Sequence, residues 1–420
     1  MLTYSKDRLK GKPYFNDNGW WVCAYNFDPE VNKNLTGRKI TIHDVTLRDG
    51  EQTFGVAFSP EERVRIAEAL DELNIPRIEV GMPPASPEIR EGIRRVMKRS
   101  LKAEIVAFIR TMKDDIDKAI DSGVKSVLLE HIINPYACEN AYGVDKAKVI
   151  DRIVESLLYA REKGLKAAFM GWDMTRGDDL EFIRDVYTSI VRQAAPGYIV
   201  VVDTVGVAVP RAVGFIFRKL REWLPNTPLE FHTHNEFGLA NAGILEALRE
   251  GATAVHTAFN GLGERTGNAA TEEVVAMLEI MLGAKTGVVL DRLMDVSILV
   301  ENLSRRKVPL MKPVVGPALF ELETGIGVDL HRKMLKAGFN VPVQPFLPEL
   351  VGQNPIKLVL GKNSGAATIE YYMDKLGLKA TENQVQEITE QVKREGRLQR
   401  ALLTESQFAK ICKRVMVDKG

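Results

Sequence analysis

Eight times from residue 40 onward the chain repeats one pattern, a short apolar run rich in Val and Ile followed by a longer stretch with helical periodicity. The runs are ITIHDVTL, RIEVGMP, AEIVAFIR, SVLLEHII, KAAFMGWD, YIVVVDTVG, PLEFHTHNE and AVHTAFNG. They are strand-length, and strands separated by helix-length stretches must run parallel, because each crossover returns the chain to the same edge. The first crossover carries explicit signals. Ser59 is placed to cap a helix, Pro60 suits its first turn and Glu62 completes a capping box. Val64, Ala67, Leu70 and Leu73 then fall on one stripe. Eight such units in about 245 residues predict an α/β fold, a (β/α)8 TIM barrel followed by a smaller, mainly helical C-terminal region. A doubly wound open sheet also alternates strand and helix, but the first strand here is not followed by GxGxxG.

The expected division is an N-terminal arm at residues 1–38, the barrel at 39–284 and helical subdomains at 285–420. The arm holds the adjacent Trp20 and Trp21 and is read as packing on a neighbouring chain. The last region joins helices through prolines such as Pro309, Pro313 and Pro345, with capping boxes at Thr381–Gln384 and Thr404–Gln407. With 57 basic against 56 acidic residues the net charge is +1, which excludes a dedicated nucleic-acid binder. No run is long and apolar enough to span a membrane, and the N-terminus lacks a secretory apolar core. Cys23, Cys138 and Cys412 are scattered without CxxC spacing, which suits a reducing cytoplasm and excludes a cysteine-built zinc site. A soluble cytoplasmic enzyme is expected.

A barrel of this kind places its chemistry at the C-terminal ends of the strands. Arg48, Asp49, Glu79, Arg110, Glu130, His131, Asp173, Asp203, Thr204, His232, His234 and Asn260 all fall there. His232 and His234 are two apart on a strand, so both imidazoles share a face and can reach one cation. Asp49 ends the first strand, which neighbours the eighth in a closed barrel, and can add a carboxylate. Two imidazoles, one carboxylate and open positions describe a catalytic divalent site. Strand alternation alone points Arg48 away from that site, but the loop that follows can turn it inward to hold a carboxylate or an enolate oxygen; otherwise it forms a rim salt bridge. The glycine-rich NGLGERTGNAA follows the eighth strand, where it either binds phosphate or only shapes the turn, and its Asn268 can offer the metal an amide oxygen.

Five ordered motifs, TLRDGEQ, IEVGMP, DTVGVAVP, HTHNEFGLANA and NGLGERTGNAA, resemble the DRE-TIM metallolyases. Within them the chain is similar to the Claisen-condensing branch of isopropylmalate, homocitrate, citramalate and Re-type citrate synthases. LGKNSG, further on, resembles the LGKHSG of homocitrate synthase-like proteins. The resemblance implies that Asp49, His232 and His234 bind Mg²⁺, Mn²⁺ or Zn²⁺, with Asn268 a weaker fourth ligand. It implies a metal-chelated 2-oxo acid, Arg48 on the oxyanion, Thr204 on the substrate carboxylate, and Glu79 with Gln52 shaping the pocket floor. Acetyl-CoA, or a related acyl-CoA, would attack the oxo carbon, and thioester hydrolysis would release CoA. A homodimer is expected, with the segment after the barrel reaching over the partner's site.

Three positions depart from the branch. Its fifth strand reads FSxEDxxR, whereas this chain has Trp172 at the Glu position, with Asp173 and Arg176 retained; Arg176 is expected to touch substrate. Ala168 stands where homocitrate synthases carry Arg. Gly327 stands where synthases carry a catalytic His. His331, four residues on, is the relocated acid-base candidate, against a bland reading as a solvent-facing histidine; Glu130 and His131 follow it. His43 and His256 lie too deep to be expected in chemistry. About 135 residues after the barrel leave no room for the regulatory domain of feedback-controlled isopropylmalate synthases, so no leucine allostery of that kind is expected. Two other readings stay open, a metal-dependent C–C lyase of the HMG-CoA lyase type and a non-catalytic relative.

Overall fold

In the structure, a computed structural model describing residues 4–417, eight parallel strands close into a barrel. They are β1 (Thr41–Asp44), β2 (Arg77–Glu79), β3 (Glu104–Arg110), β4 (Ser126–Ile132), β5 (Lys166–Trp172), β6 (Ile199–Asp203), β7 (Leu229–Thr233) and β8 (Ala254–Thr257). Each lies in one of the eight runs read from the sequence. Each strand pairs with its sequence neighbours, and β8 returns to β1 with His256 opposite His43. Helices such as Pro60–Glu72, Lys146–Glu162 and Pro210–Trp223 supply the crossovers. The capping box at Ser59 and Glu62 forms with Pro60 in the first turn. Val64, Ala67, Leu70 and Leu73 are all buried, each large aliphatic among them contributing about 1.5–3 kcal/mol.

The barrel interior is filled unevenly. Val106 and Phe108 on β3, Leu128 on β4, Met170 on β5 and Val200 and Val202 on β6 make one apolar cluster. The other strands turn His43, Glu79, Glu230 and His256 inward, all buried. A TIM barrel is ordinarily packed with branched aliphatic layers throughout. Here that holds for one half only.

The chain divides into two compact units, residues 25–308 and a second made of residues 1–24 with 309–420. These bounds differ from the expected 38 and 284. Residues 25–38 join the barrel unit because Asn32 and Thr36 hydrogen-bond the carbonyl of Leu282 at 3.3 and 2.9 Å. Helix Leu293–Ser304 joins it through Ser297, which bonds Asn260 in the loop after β8. The Trp20–Trp21 pair, read as meeting a neighbouring chain, packs within its own unit. It forms a two-stranded ladder with Phe15–Asn16, and Trp21 stacks on Phe339 at 5.5 Å between ring centroids. The rest of this unit is helical around a core that includes Ile369, Tyr372, Ile388, Val392, Phe408 and Ile411. Both expected capping boxes, at Thr381 and Thr404, are made. Among the described residues no helix is long and apolar enough to cross a membrane, and the three cysteines are free.

Candidate metal centre and active site

β7 delivers His232 and His234 to the same point above the barrel. Their Nε2 atoms are 3.4 Å apart, and the Asp49 carboxylate lies 3.8 and 4.0 Å from them. Asn268 is drawn in by a bridge to His234. Its amide nitrogen donates to Asp49 and to the carbonyl of Leu262, both at 2.8 Å. Its amide oxygen is buried without a partner. Burial holds His232 well below the usual imidazole range, so it presents a lone pair rather than a proton. Burial alone would raise Asp49, but Arg48 beside it and His234 prevail and keep it an ionised carboxylate. Two nitrogens facing each other and a carboxylate, with an orphaned amide oxygen beside them, make a donor set that suits a divalent cation.

Asp49 and Arg48 reach this centre because the strand ends before them. The amides of Arg48 and Gly50 both bond the carbonyl of Val45, so the chain turns and alternation no longer applies. Arg48 is buried, bonds Glu79 through Nε and Asp49 through Nη1, and lies over the Phe108 ring at 4.4 Å. Its Nη2 has no partner and remains available to a ligand. Arg48 is therefore turned inward, and its ion pairs are buried rather than at the rim.

The glycine loop shapes the turn. A Cβ on Gly263, whose φ is +156°, would sit 2.2 Å from the Asn268 amide nitrogen and 2.9 Å from the Asp49 carboxylate. Gly263 instead leaves room for both, while its own amide bonds Thr53 at 2.8 Å.

The other expected residues separate into two groups. Thr204 is buried at the end of β6, and its hydroxyl oxygen accepts the amide of Asp173 at 2.7 Å, which leaves its proton free to donate. Glu130 ends β4 on the interior side. Burial pushes it up to about 8, with Asp49 and Glu79 adding to the effect and Arg48 opposing. Arg110, Arg152, Trp172, His131 and Glu130 all line a cavity of about 300 Å³ at the rim. His131, next in sequence, faces the other way and is held by the Thr111 hydroxyl at 2.7 Å, with burial pushing it down to about 4. Arg176, about half exposed, grips Asp173 through Nε and Nη2 at 2.7 and 2.6 Å, and Asn134 donates to the same carboxylate at 2.9 Å. Gln52 is exposed in the turn after Asp49. His331 lies in helix Gly325–Lys336 of the second unit and is buried, not solvent-facing, with Nδ1 unpartnered and burial lowering its pKa.

One cluster was missed. His43, Glu230, His256 and Arg77 form a buried ionic group beneath the metal set. The signal was present: Glu230 is two residues before His232 and so shares its face, and His43 and His256 lie opposite each other on neighbouring strands.

Comparison with known proteins agrees with this fold. The HMGL-like family model matches residues 39–300, and the model described as homocitrate synthase post-HMGL domain-like matches residues 340–399. A putative (R)-citramalate synthase of Archaeoglobus fulgidus is 40% identical over 359 residues, 85% of this chain and 72% of that one. A homocitrate synthase of Methanothermobacter thermautotrophicus is 36% identical over 377 residues, 89% of this chain and 93% of that one. Among solved structures, hydroxymethylglutaryl-CoA lyase from Pseudomonas aeruginosa shares the fold with a TM-score of 0.57 at 22% identity, over 65% of this chain and 95% of that one.

Proposed function

The chain belongs to the HMGL-like family, in its synthase branch, and from this we infer an enzyme that condenses acetyl-CoA with a 2-oxo acid. With one water consumed in cleaving the thioester, the products are CoA and a 2-hydroxy acid with one carboxylate more than the oxo acid. The observation that carries the reading is the convergence of Asp49, His232, His234 and the orphaned Asn268 oxygen beside an arginine with a free donor. A divalent cation held by those four groups would supply Lewis-acid polarisation of an oxo group. Arg48 donates through Nη2 to the oxygen on which negative charge develops. Thr204 donates its hydroxyl proton to the substrate carboxylate. Glu130, protonated at neutral pH, returns a proton to that oxygen, and His331 is the second acid-base group. Glu79 serves as the seat of Arg48.

We propose a homodimer as the working form. Exposed apolar side chains support it on both units. Val209 and Phe237 follow β6 and β7 on the rim that carries the site, at 57% and 71% exposure, and Ile326 is 88% exposed on the helix of His331.

Thiol release measured against pyruvate, 2-oxoisovalerate and 2-oxoglutarate, with and without added Mg²⁺ or Mn²⁺, tests the reaction. Metal-dependent CoA release with one oxo acid is expected. Trp172 and Gly327, both departures from the synthases, favour the cleavage reading instead. Absence of CoA release with all three acids, together with cleavage of a 3-hydroxyacyl-CoA, would establish that alternative.

A further inference from the structure

His43 on β1, Glu79 on β2 and His256 on β8 are fully buried inside the barrel, where the last strand closes on the first. Glu230 on β7 stands behind the two rings. One of its oxygens faces His256 Nε2 at 3.1 Å and His43 Nδ1 at 3.3 Å, and the other is held by Arg77 at 2.6 Å. A carboxylate paired with a guanidinium is ionised and only accepts, so each ring keeps its proton on the nitrogen that faces Glu230. Burial pushes both rings down to about 4, so neither carries a second proton at neutral pH. The lone pairs are then left on His43 Nε2 and His256 Nδ1. Both nitrogens are buried without a partner among the described residues. So is one oxygen of Glu79, whose other oxygen holds Arg48. Three acceptors with nothing to accept from are costly at this depth unless a positive group sits among them.

We propose that His43, Glu79 and His256 bind a second divalent cation, beneath the first. The three residues bring ligand atoms within 4.8 Å of one another. His43 Nε2 and the free oxygen of Glu79 are 3.4 Å apart, the separation also found between His232 Nε2 and His234 Nε2 in the first site. Two donors about 2.0–2.1 Å from one tetrahedral ion stand about that far from each other. A ligating imidazole ordinarily donates its other N–H to a carboxylate, and Glu230 takes that part for both rings. Two imidazoles with one carboxylate suit Zn²⁺ better than Mg²⁺. The local charge favours a cation as well. Glu79, Glu230 and Glu104 face only two guanidiniums, those of Arg48 and Arg77, so the group is short of positive charge while both rings are neutral. An ion here joins β8, β1 and β2 across the seam that closes the barrel, and its binding energy becomes folding energy.

A proton shared between His43 and Glu79 is the competing explanation. It needs an N–H aimed at the oxygen, and although the two atoms are 3.4 Å apart they are not aligned for a hydrogen bond. Donors that point at a common third position do not point at each other. The first site does not forbid a second ion. The His232 and His256 rings are 5.4 Å apart between centroids, and enzymes hold pairs of divalent ions at about 3.5–4 Å.

The test counts ions in the full-length protein, expressed in zinc-supplemented medium and freed of loose metal by gel filtration. Elemental analysis should give two Zn²⁺ per wild-type chain. His232→Ala/His234→Ala leaves the buried set intact and should keep one. The zinc absorption-edge spectrum of that variant should show imidazole nitrogen at about 2.0–2.1 Å. His43→Phe and His256→Phe should each keep one ion, that of the first site, and His43→Phe added to the double variant should leave none. A wild-type count of one, loss of all zinc from His232→Ala/His234→Ala, an ion in that variant without imidazole ligands, or two ions in His43→Phe would each overturn the proposal. None of these readouts passes through turnover, so a wild type that releases no CoA bears on the condensing reading alone. If the phenylalanine variants do not fold, the count and spectrum of His232→Ala/His234→Ala decide the matter.

Discussion

Arg48 and Asp49 are adjacent in sequence and serve one centre, which strand alternation forbids and a turn permits. Alternation read correctly for His232 and His234, because the chain stays extended one residue past β7, where His234 bridges Asn268. It fails where a strand stops, and the hydrogen bonds to Val45 that stop β1 are not encoded in periodicity. Periodicity is equally silent on Arg176: its spacing from Asp173 suits a salt bridge as well as a substrate contact, and the structure shows the salt bridge with about half of the side chain still exposed. Two outcomes follow at this scale. His232→Ala/His234→Ala should lose bound divalent metal, measured by elemental analysis, while far-ultraviolet dichroism stays at the wild-type value; equal metal content would refute the ligand assignment. Glu130→Gln should lose about 10²–10⁴ in turnover, the span typical of an acid-base group. Glu130 is protonated below about 8, so as a donor it works at neutral pH and fails as pH rises through that value. The falling alkaline limb should therefore vanish in Glu130→Gln. A bound cation favours the ionised carboxylate and draws the limb lower. A limb that survives the substitution belongs to another group.

Elements were the most legible level, since the physics that forms them is local. Capping boxes at Ser59, Thr381 and Thr404 all formed as read, because a Ser or Thr with Glu or Gln three residues on satisfies two orphan amides whatever the surroundings. Ser59→Ala should lower stability by about 1 kcal/mol in urea unfolding and leave turnover alone. The same helix also shows what periodicity misses. Arg63 is fully buried and donates to the carbonyls of Leu47 and Val80 at 2.7 and 2.8 Å, tying the crossover to two strand ends. A charged residue on an inner stripe has no signature of its own. The loop after β8 left two meanings open, phosphate binding or turn geometry, and the cradle over Asn268 favours geometry. Gly263→Ala is expected to displace Asn268 and Asp49 together, lowering metal affinity and cutting turnover by about 10²-fold, the effect of an ångström-scale misplacement. Wild-type metal affinity in that variant would return the loop to its phosphate-binding reading.

At the scale of the molecule, sequence order misled. The second unit is discontinuous, built from the first 24 residues and everything after 308, and no composition change marks a segment that leaves one unit and returns to it. The tryptophan pair was noticed for its apolar area, and Trp21 spends part of that area on Phe15 and Phe339 of its own unit. In the proposed dimer the exposed Val209, Phe237 and Ile326 offer further contact surface. If the helix of His331 serves the partner's barrel, activity can be rebuilt from two broken chains. His234→Ala lacks a metal ligand in the barrel unit, and His331→Ala lacks the acid-base candidate of the second unit, with a loss of about 10²–10⁴ expected. Unfolded together in equal amounts and refolded, half of the dimers are mixed. A mixed dimer whose sites are shared between chains contains one intact site and one doubly damaged site, so about a quarter of wild-type turnover should return. Sites complete within a single chain would return none. Sedimentation of the same samples must show the dimer, since a fully active monomer at micromolar concentration removes the premise. Near-normal turnover of His331→Ala on its own would instead take this histidine out of the reaction and leave Glu130 as the acid-base group the barrel supplies.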